Sequence, residues 1–136
     1  MRTLYMLDTD TCSYVIKGTY PQLIAHIKVH EKQLCISAIT LAELLYGASK
    51  RQSARIFDCI SALQELVEVK DWTTHAAEEY AKIRTVLENT GNPIGNMDML
   101  IAAAAQAEPA VLVTNNTAHF SRIKTLKIQN WLVDAR

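Results

Sequence analysis

Val111-Leu112-Val113-Thr114 is the stretch that most narrows what this chain can fold into. A continuous apolar run of that length has no polar side to give to water, so it reads as a strand covered on both faces. Leu4-Tyr5-Met6-Leu7 and Leu34-Cys35-Ile36-Ser37 have the same character, and Val67-Glu68-Val69 and Ile128 to Trp131 are shorter strand candidates. Helical patterns fill the intervals. They run from Thr11 to Lys17, from Pro21 to about Lys28, from Ser53 to Leu66 and from Thr73 to about Leu87. Pro21 suits a first helical turn, and Ser53 and Thr73 can each cap one. Strands alternating with helices predict an α/β fold with a mainly parallel central sheet of four or five strands, flanked by helices. At 136 residues, residues 1–136 are expected to form a single domain.

In such sheets, sites lie beyond the carboxyl ends of the strands. Asp8 follows the first strand directly, and Asn115 and Asn116 follow the Val111 run. Two further acids stand at predicted helix starts. Thr40-Leu41-Ala42-Glu43 reads as a capping box, with Gly47 ending or bending the helix it opens. Gly95-Asn96-Met97-Asp98 is a turn with Asn96 as N-cap, ahead of an Ala-rich helix that is apolar almost all round and therefore expected to be buried. Each acid alone has a structural explanation: a cap, a capping box, a favourable place in the helix dipole. Gathered at one sheet edge they would repel one another, and the usual reason for such a cluster is a hard cation. Oxygen ligands of this kind suit Mg²⁺ or Mn²⁺, with water and phosphate completing the shell.

Several other chemistries find no support. Formal net charge is zero, which argues against a strongly electrostatic, non-specific DNA binder. Cys12, Cys35 and Cys59 form no C-x-x-C pair and read as small buried hydrophobes. His26 and His30 lie four apart without the Glu of an H-E-x-x-H zinc motif, so a solvated helix face is expected for them. No G-x-x-x-x-G-K-[ST] or G-x-S-x-G motif is present. Arg2 and a short apolar run make no signal peptide. The longest apolar stretch, Met99 to Ala105, is too short to span a bilayer, so a cytoplasmic setting is expected.

Four blocks in order resemble the PIN-domain ribonucleases, and more narrowly the VapC-type toxins of type II toxin–antitoxin pairs. They are Met6-Leu7-Asp8-Thr9-Asp10, the segment Ser37 to Leu44, the segment Ile94 to Ala103, and Leu112-Val113-Thr114-Asn115-Asn116 with Phe120. Gln129-Asn130-Trp131 is similar to the same group. The resemblance implies a metal-dependent endoribonuclease cleaving RNA, often in a tRNA or rRNA loop, to leave a 5′-phosphate and a 3′-hydroxyl. It implies a Mg²⁺ or Mn²⁺ cofactor, a homodimer and a cognate VapB-type antitoxin. Asp8, Glu43 and Asp98 match the core acids, as catalytic and metal-holding residues. Asn116 matches a polar position near the metal, and Thr9 a small hydroxyl near that site. Many relatives carry a fourth acid where this chain has Asn116 or His119. Asp10 stands where Asn is common and is expected to compensate in part, with a single ion.

Lys50, Arg51 and Arg55 form one basic group; Lys82 and Arg84, and Arg122, Lys124 and Lys127, form others. Lys50, Arg51, Arg84 and Arg122 are the candidate RNA contacts, though a solvated face explains each group separately. Tyr46, Phe57 and Ile60 could line a dimer seam or receive an antitoxin helix, with core packing expected for Phe57 and Ile60. Within the same fold, a housekeeping RNA-processing PIN nuclease or a catalytically inactive PIN binding module are the alternatives. From another class, a receiver-like Mg-binding regulatory domain would need a phosphoacceptor such as Asp71 after the third strand and a Lys after the last. Thr114-Asn115-Asn116 stands where that Lys would be.

Overall fold

The computed structural model describes residues 2–133. Five parallel strands form one sheet: β1 Tyr5–Leu7, β2 Leu34–Ser37, β3 Glu68–Lys70, β4 Val111–Val113 and β5 Ile128–Gln129. Their spatial order is β3-β2-β1-β4-β5. The first strand is therefore central, with Tyr5 opposite Leu34 on one side and Val111 on the other. The chain leaves β1 toward β2 and β3, then crosses back to β4 and β5. This puts the topological switch point between β1 and β4, where open α/β sheets place their crevice. It also removes the receiver reading. That class orders its strands 2-1-3-4-5, with the third strand inside the sheet; here β3 is an edge strand and Asp71 beyond it is exposed.

Successive strand residues point to opposite faces, and the core divides accordingly. Met6, Cys35 and Leu112 face helices α5 (Thr74–Asn89) and α6 (Asn96–Ala107). Leu7, Ile36 and Val113 face α1 (Thr9–Lys17), α2 (Pro21–Val29), α3 (Ala38–Arg51) and α4 (Ala54–Leu66). Cys12 and Cys35 are buried, as expected, and burial pushes the Cys35 thiol up to about 12. Ser53 and Thr73 cap α4 and α5, accepting from Ile56 N at 3.1 Å and Ala76 N at 3.1 Å.

Several local expectations are corrected. Ser37, not Thr40, caps α3: its hydroxyl accepts from Ile39 N at 3.0 Å, so the helix starts where β2 ends. Thr40 is then an interior, buried position, and Glu43 is freed from any capping box. Gly47 neither ends nor bends this helix at its C-terminus; α3 runs on to Arg51, and Gln52 closes it in the left-handed conformation at φ 49°. Gly95 rather than Asn96 is the N-cap of α6, because Asn96 is already the first residue of the helix. A short helix, α7 (Thr117–Phe120), follows β4, where the residue pattern predicts no helix. His26 and His30 do not form a solvated face. Both are half-buried and stack on the buried Trp131 ring, at centroid distances of 5.1 and 5.0 Å. Ile60 is buried as expected, but Phe57 is 38% exposed, because it lies on the outer side of α4.

The Ala-rich α6 is buried along Ile101 to Ala105 between α5 and the sheet. A close-packed interior has no room for added methylenes. Ala103→Leu is expected to destabilise the fold by about 1–3 kcal/mol, seen as a lower urea midpoint with an unchanged slope.

Candidate active site

Asp8 sits where the sheet divides. Its N–H donates to Val113 O at 3.1 Å, joining the ends of β1 and β4. Its side chain caps α1, with Oδ1 accepting from Thr11 N at 2.9 Å. A second donor is the fully buried Thr114 hydroxyl, which follows β4. The capping expectation and the site expectation thus meet in one carboxylate. Asp8 is only 4% exposed. Burial pushes its carboxyl above the ordinary 3.8; the Thr114 and Thr11 hydrogen bonds pull it down, and the charge of Asp10 adds to the rise.

Asp98 stands in the first turn of α6, half-buried. Burial raises its carboxyl above the ordinary value as well; His119 opposes that and Asp10 adds to it. Asp10 therefore lies within electrostatic reach of both Asp8 and Asp98, on the exposed side of α1. Glu43 comes from α3 and accepts a short hydrogen bond from the Thr9 hydroxyl, which also lies 3.4 Å from the Thr40 hydroxyl. Thr9 is the next residue after Asp8, so α1 holds Glu43 beside the β1 end.

The fourth side of the edge is β4 and the turn beyond it. Thr114 Oγ1 accepts from Asn116 N at 2.9 Å, and Asn116 Nδ2 donates to His119 Nδ1 at 2.9 Å. Asn116 and His119 thus form a hydrogen-bonded pair, with His119 within electrostatic reach of Asp98.

The donor set is one of oxygen atoms, carboxylates above all, in positions where ionisation is disfavoured. Among the described residues, neither Asp8 nor Asp98 has an ion pair with Lys or Arg. Nor do any three His, Cys, Asp or Glu side chains there stand close enough to hold an ion between them as placed. Like charges with no cation between them keep apart. Residues of this type at this edge fit a hard divalent ion, whose charge would offset the desolvation that lifts both carboxyls.

Of the candidate RNA contacts, Arg51 lines a trough that opens beside Glu43. Lys50 is exposed on α3 but forms no part of those walls. Arg84 is engaged elsewhere on α5, with Nε donating to Glu88 and Nη1 to Tyr80. Arg122 Nη1 donates to Pro93 O at 2.9 Å, bracing the loop that leads to Asp98. Thr11 and Thr114 orient Asp8, a role that the sequence pattern does not single out. Their signal is a threonine just after an acid and just after a buried strand, positions where a buried hydroxyl needs a partner.

An all-parallel 3-2-1-4-5 sheet with acids collected at its switch point is the arrangement expected of a PIN domain, and the PIN-domain family model matches residues 5–126. Over 128 residues the chain is 37% identical to the tRNA(fMet)-specific endonuclease VapC of Salmonella typhimurium, covering 93% of this chain and 97% of that protein. Over 131 residues it is 38% identical to ribonuclease VapC2 of Rickettsia felis, covering 94% and 98%. The crystal structure of VapBC2 from Rickettsia felis, bound to a DNA fragment from its promoter, superposes with a TM-score of 0.88 at 37% identity, over 95% of this chain and 99% of that one. DNA-bound VapBC from Salmonella typhimurium superposes with a TM-score of 0.85 at 35% identity, over 96% and 99%. The chain belongs to the PIN-domain family, in its VapC branch.

Because burial makes the folded protein hold the Asp8 proton more tightly than the unfolded chain does, metal-free stability falls as pH rises from 3.8 through the raised folded value. Metal-free Asp8→Asn is therefore expected to melt above the parent protein at neutral pH. That advantage should shrink as pH falls toward 3.8, and thermal melts across a pH series would read it.

Proposed function

We propose that the protein is a metal-dependent endoribonuclease, the toxin of a VapBC-type pair, and that residues 1–136 act as one PIN domain. The observations that support this reading are Asp8 at the β1–β4 switch point, Glu43 hydrogen-bonded to Thr9 beside it and Asp98 within electrostatic reach of Asp10, in a chain 37% identical to a tRNA(fMet)-specific VapC endonuclease over 93% of its length. That relative makes a structured RNA, a tRNA loop above all, the favoured substrate class over an rRNA loop. Antitoxin-bound neighbours make a VapB-type antitoxin the favoured partner. No helix among the described residues is long and apolar enough to cross a membrane, which agrees with action in the cytoplasm.

Asp8, Asp98 and Glu43 would hold the ion, which is Mg²⁺ or Mn²⁺ on the chemistry of the ligands. When bound, such an ion supplies Lewis-acid polarisation of the phosphodiester and a water of lowered pKa. The chain's own part is to aim the ligands. Thr114 and the Thr11 amide fix Asp8, and Thr9 fixes Glu43. Hydrolysis breaks the bond from phosphorus to the 3′-oxygen, leaving a 5′-phosphate and a 3′-hydroxyl. Neither Asn116 nor His119 is an acid, which leaves the site short of negative charge for a second ion, and Asp10 supplies part of what is missing.

Two exposed features suit protein partners. Tyr46, on α3, is 67% exposed and suits a contact with a second copy of the chain. An apolar groove of about 250 Å³ between α1 and α4, walled by Val15, Ile16, Cys59, Ala62, Leu63 and Leu66, suits the apolar face of an antitoxin helix.

Purified protein incubated with total cellular RNA and Mg²⁺ should yield discrete fragments. These should vanish with EDTA and with Asp98→Ala. Fragments persisting in both controls would overturn the reading. Thr114→Val is expected to lower the rate by roughly 10–100-fold, the loss typical of an outer partner of a metal ligand. Calorimetric titration with Mn²⁺ should give one ion per chain, with Asp10→Asn binding it more weakly at the same stoichiometry.

A further inference from the structure

Two helix stripes leave the site side by side. On α1 they are Thr9, Ser13 and Lys17; on α3 they are Glu43, Gly47 and Arg51. Each runs i, i+4, i+8, so each lies along one helix face. All six line one trough of about 230 Å³, together with Arg55 at the start of α4. The stripes meet at the acid end, where the Thr9 hydroxyl donates to Glu43. They finish about 12 Å further on, at cations. Among the described residues, Lys17, Arg51 and Arg55 form no ion pair. Lys17 lies 6.0 Å from the Tyr14 ring centroid.

The middle of the trough is kept low by small residues. Gly47 is the telling one. Glycine is among the weakest helix formers, yet a methyl at Gly47 would touch nothing within 4 Å. Packing within this chain therefore gives no reason for glycine there. An occupant of the trough does: a backbone that must pass close to α3. The floor on either side is apolar, with Ile16, Leu44 and Ile56. Apolar floor, small centre and unpaired cations at the far end suit a single strand of nucleic acid, whose bases need apolar faces and whose phosphates need positive charge.

We propose that the trough between α1 and α3 is a single-strand RNA track on one side of the cleaved bond, with Arg51, Arg55 and Lys17 taking phosphates and Gly47 giving the strand its clearance. This inference rests on the ribonuclease reading and deepens it. The track fixes the direction in which the strand leaves the acids. Its contacts go to phosphate, so it adds affinity without choosing sequence. A protein segment entering from the apolar groove that shares Ile16 is the competing occupant.

The test uses the full chain carrying Asp98→Asn, so that bound RNA survives, and a short fluorescein-labelled single-stranded RNA in Mg²⁺. Affinity is read by anisotropy between roughly 50 and 200 mM salt. Removing one side chain that neutralises a phosphate should reduce the slope of log K against log salt by about 0.7, so Arg51→Ala with Arg55→Ala should reduce it by about twice that. Lys28→Ala, exposed on α2 and outside the trough walls, should leave the slope unchanged. Gly47→Leu should weaken RNA binding several-fold while melting no lower than the parent. Gly47→Ala should weaken it measurably but less than Gly47→Leu, and an alanine variant that binds as the parent does would remove the clearance role. A slope unchanged by the double Arg variant overturns the track. So does a double variant that loses binding to the purified antitoxin while RNA binding stays the same, which would assign the trough to a protein segment. If the Asp98→Asn protein binds no RNA at all, the ribonuclease reading falls with it.

Discussion

A carboxylate buried at the junction of two parallel strands organises this molecule. Asp8 is tied through its amide to β4 and through its side chain to α1 and Thr114. An ionised group so placed is disfavoured by desolvation, and the hydroxyl and amide donors only partly offset it. The fold accepts this at one point because the strand order makes that point the place where the sheet parts. Everything else that matters at the edge is arranged around Asp8: α1 starts on it, Glu43 is held beside it through Thr9, and Asp98 enters from the opposite layer on α6.

The same residues that serve local structure are the ones the proposed site would use. Asp8 is an ordinary N-cap, worth about 0.5–2 kcal/mol in general, and Asp98 lies where a helix dipole welcomes an acid. Those explanations account for where the carboxylates are. They do not account for their being unpaired, half or wholly buried, and within reach of a third acid, Asp10. Local stability and cation chemistry ask for the same residue types at helix starts, which is how a small chain can build a site without dedicated loops.

Much of this is legible in the residues, for identifiable reasons. β4, α4 and α5 are readable because a continuous apolar run and a clear helical period have few competing explanations. The capping box at Thr40 misleads because Ser37, three residues earlier, offers the same chemistry at the end of β2, and the first adequate cap wins. Gly47 misleads because a glycine in a helical stretch usually marks an end. Here it sits in the middle of a helix that continues to Arg51, facing an open trough. His26 and His30 are hidden for a different reason: their partner, Trp131, stands at the far end of the chain.

By itself the sequence determined the class of fold and the place of most elements, and with them that Asp8 follows a strand and Asp98 opens a helix, because periodicity, caps and strand ends are local properties of neighbouring residues. It also carried the family pattern, in four blocks spread along the whole chain. Only the tertiary structure decided the strand order 3-2-1-4-5, and with it that β1 and β4 are adjacent. That single adjacency brings Thr114 onto Asp8 and sets the Asn116–His119 pair with His119 within electrostatic reach of Asp98. The packing of α1 on α3 makes Arg51 rather than Lys50 the residue that lines the trough from Glu43. These pairings join residues far apart in the chain, and no local rule specifies which distant hydroxyl, ring or guanidinium a buried carboxylate will meet.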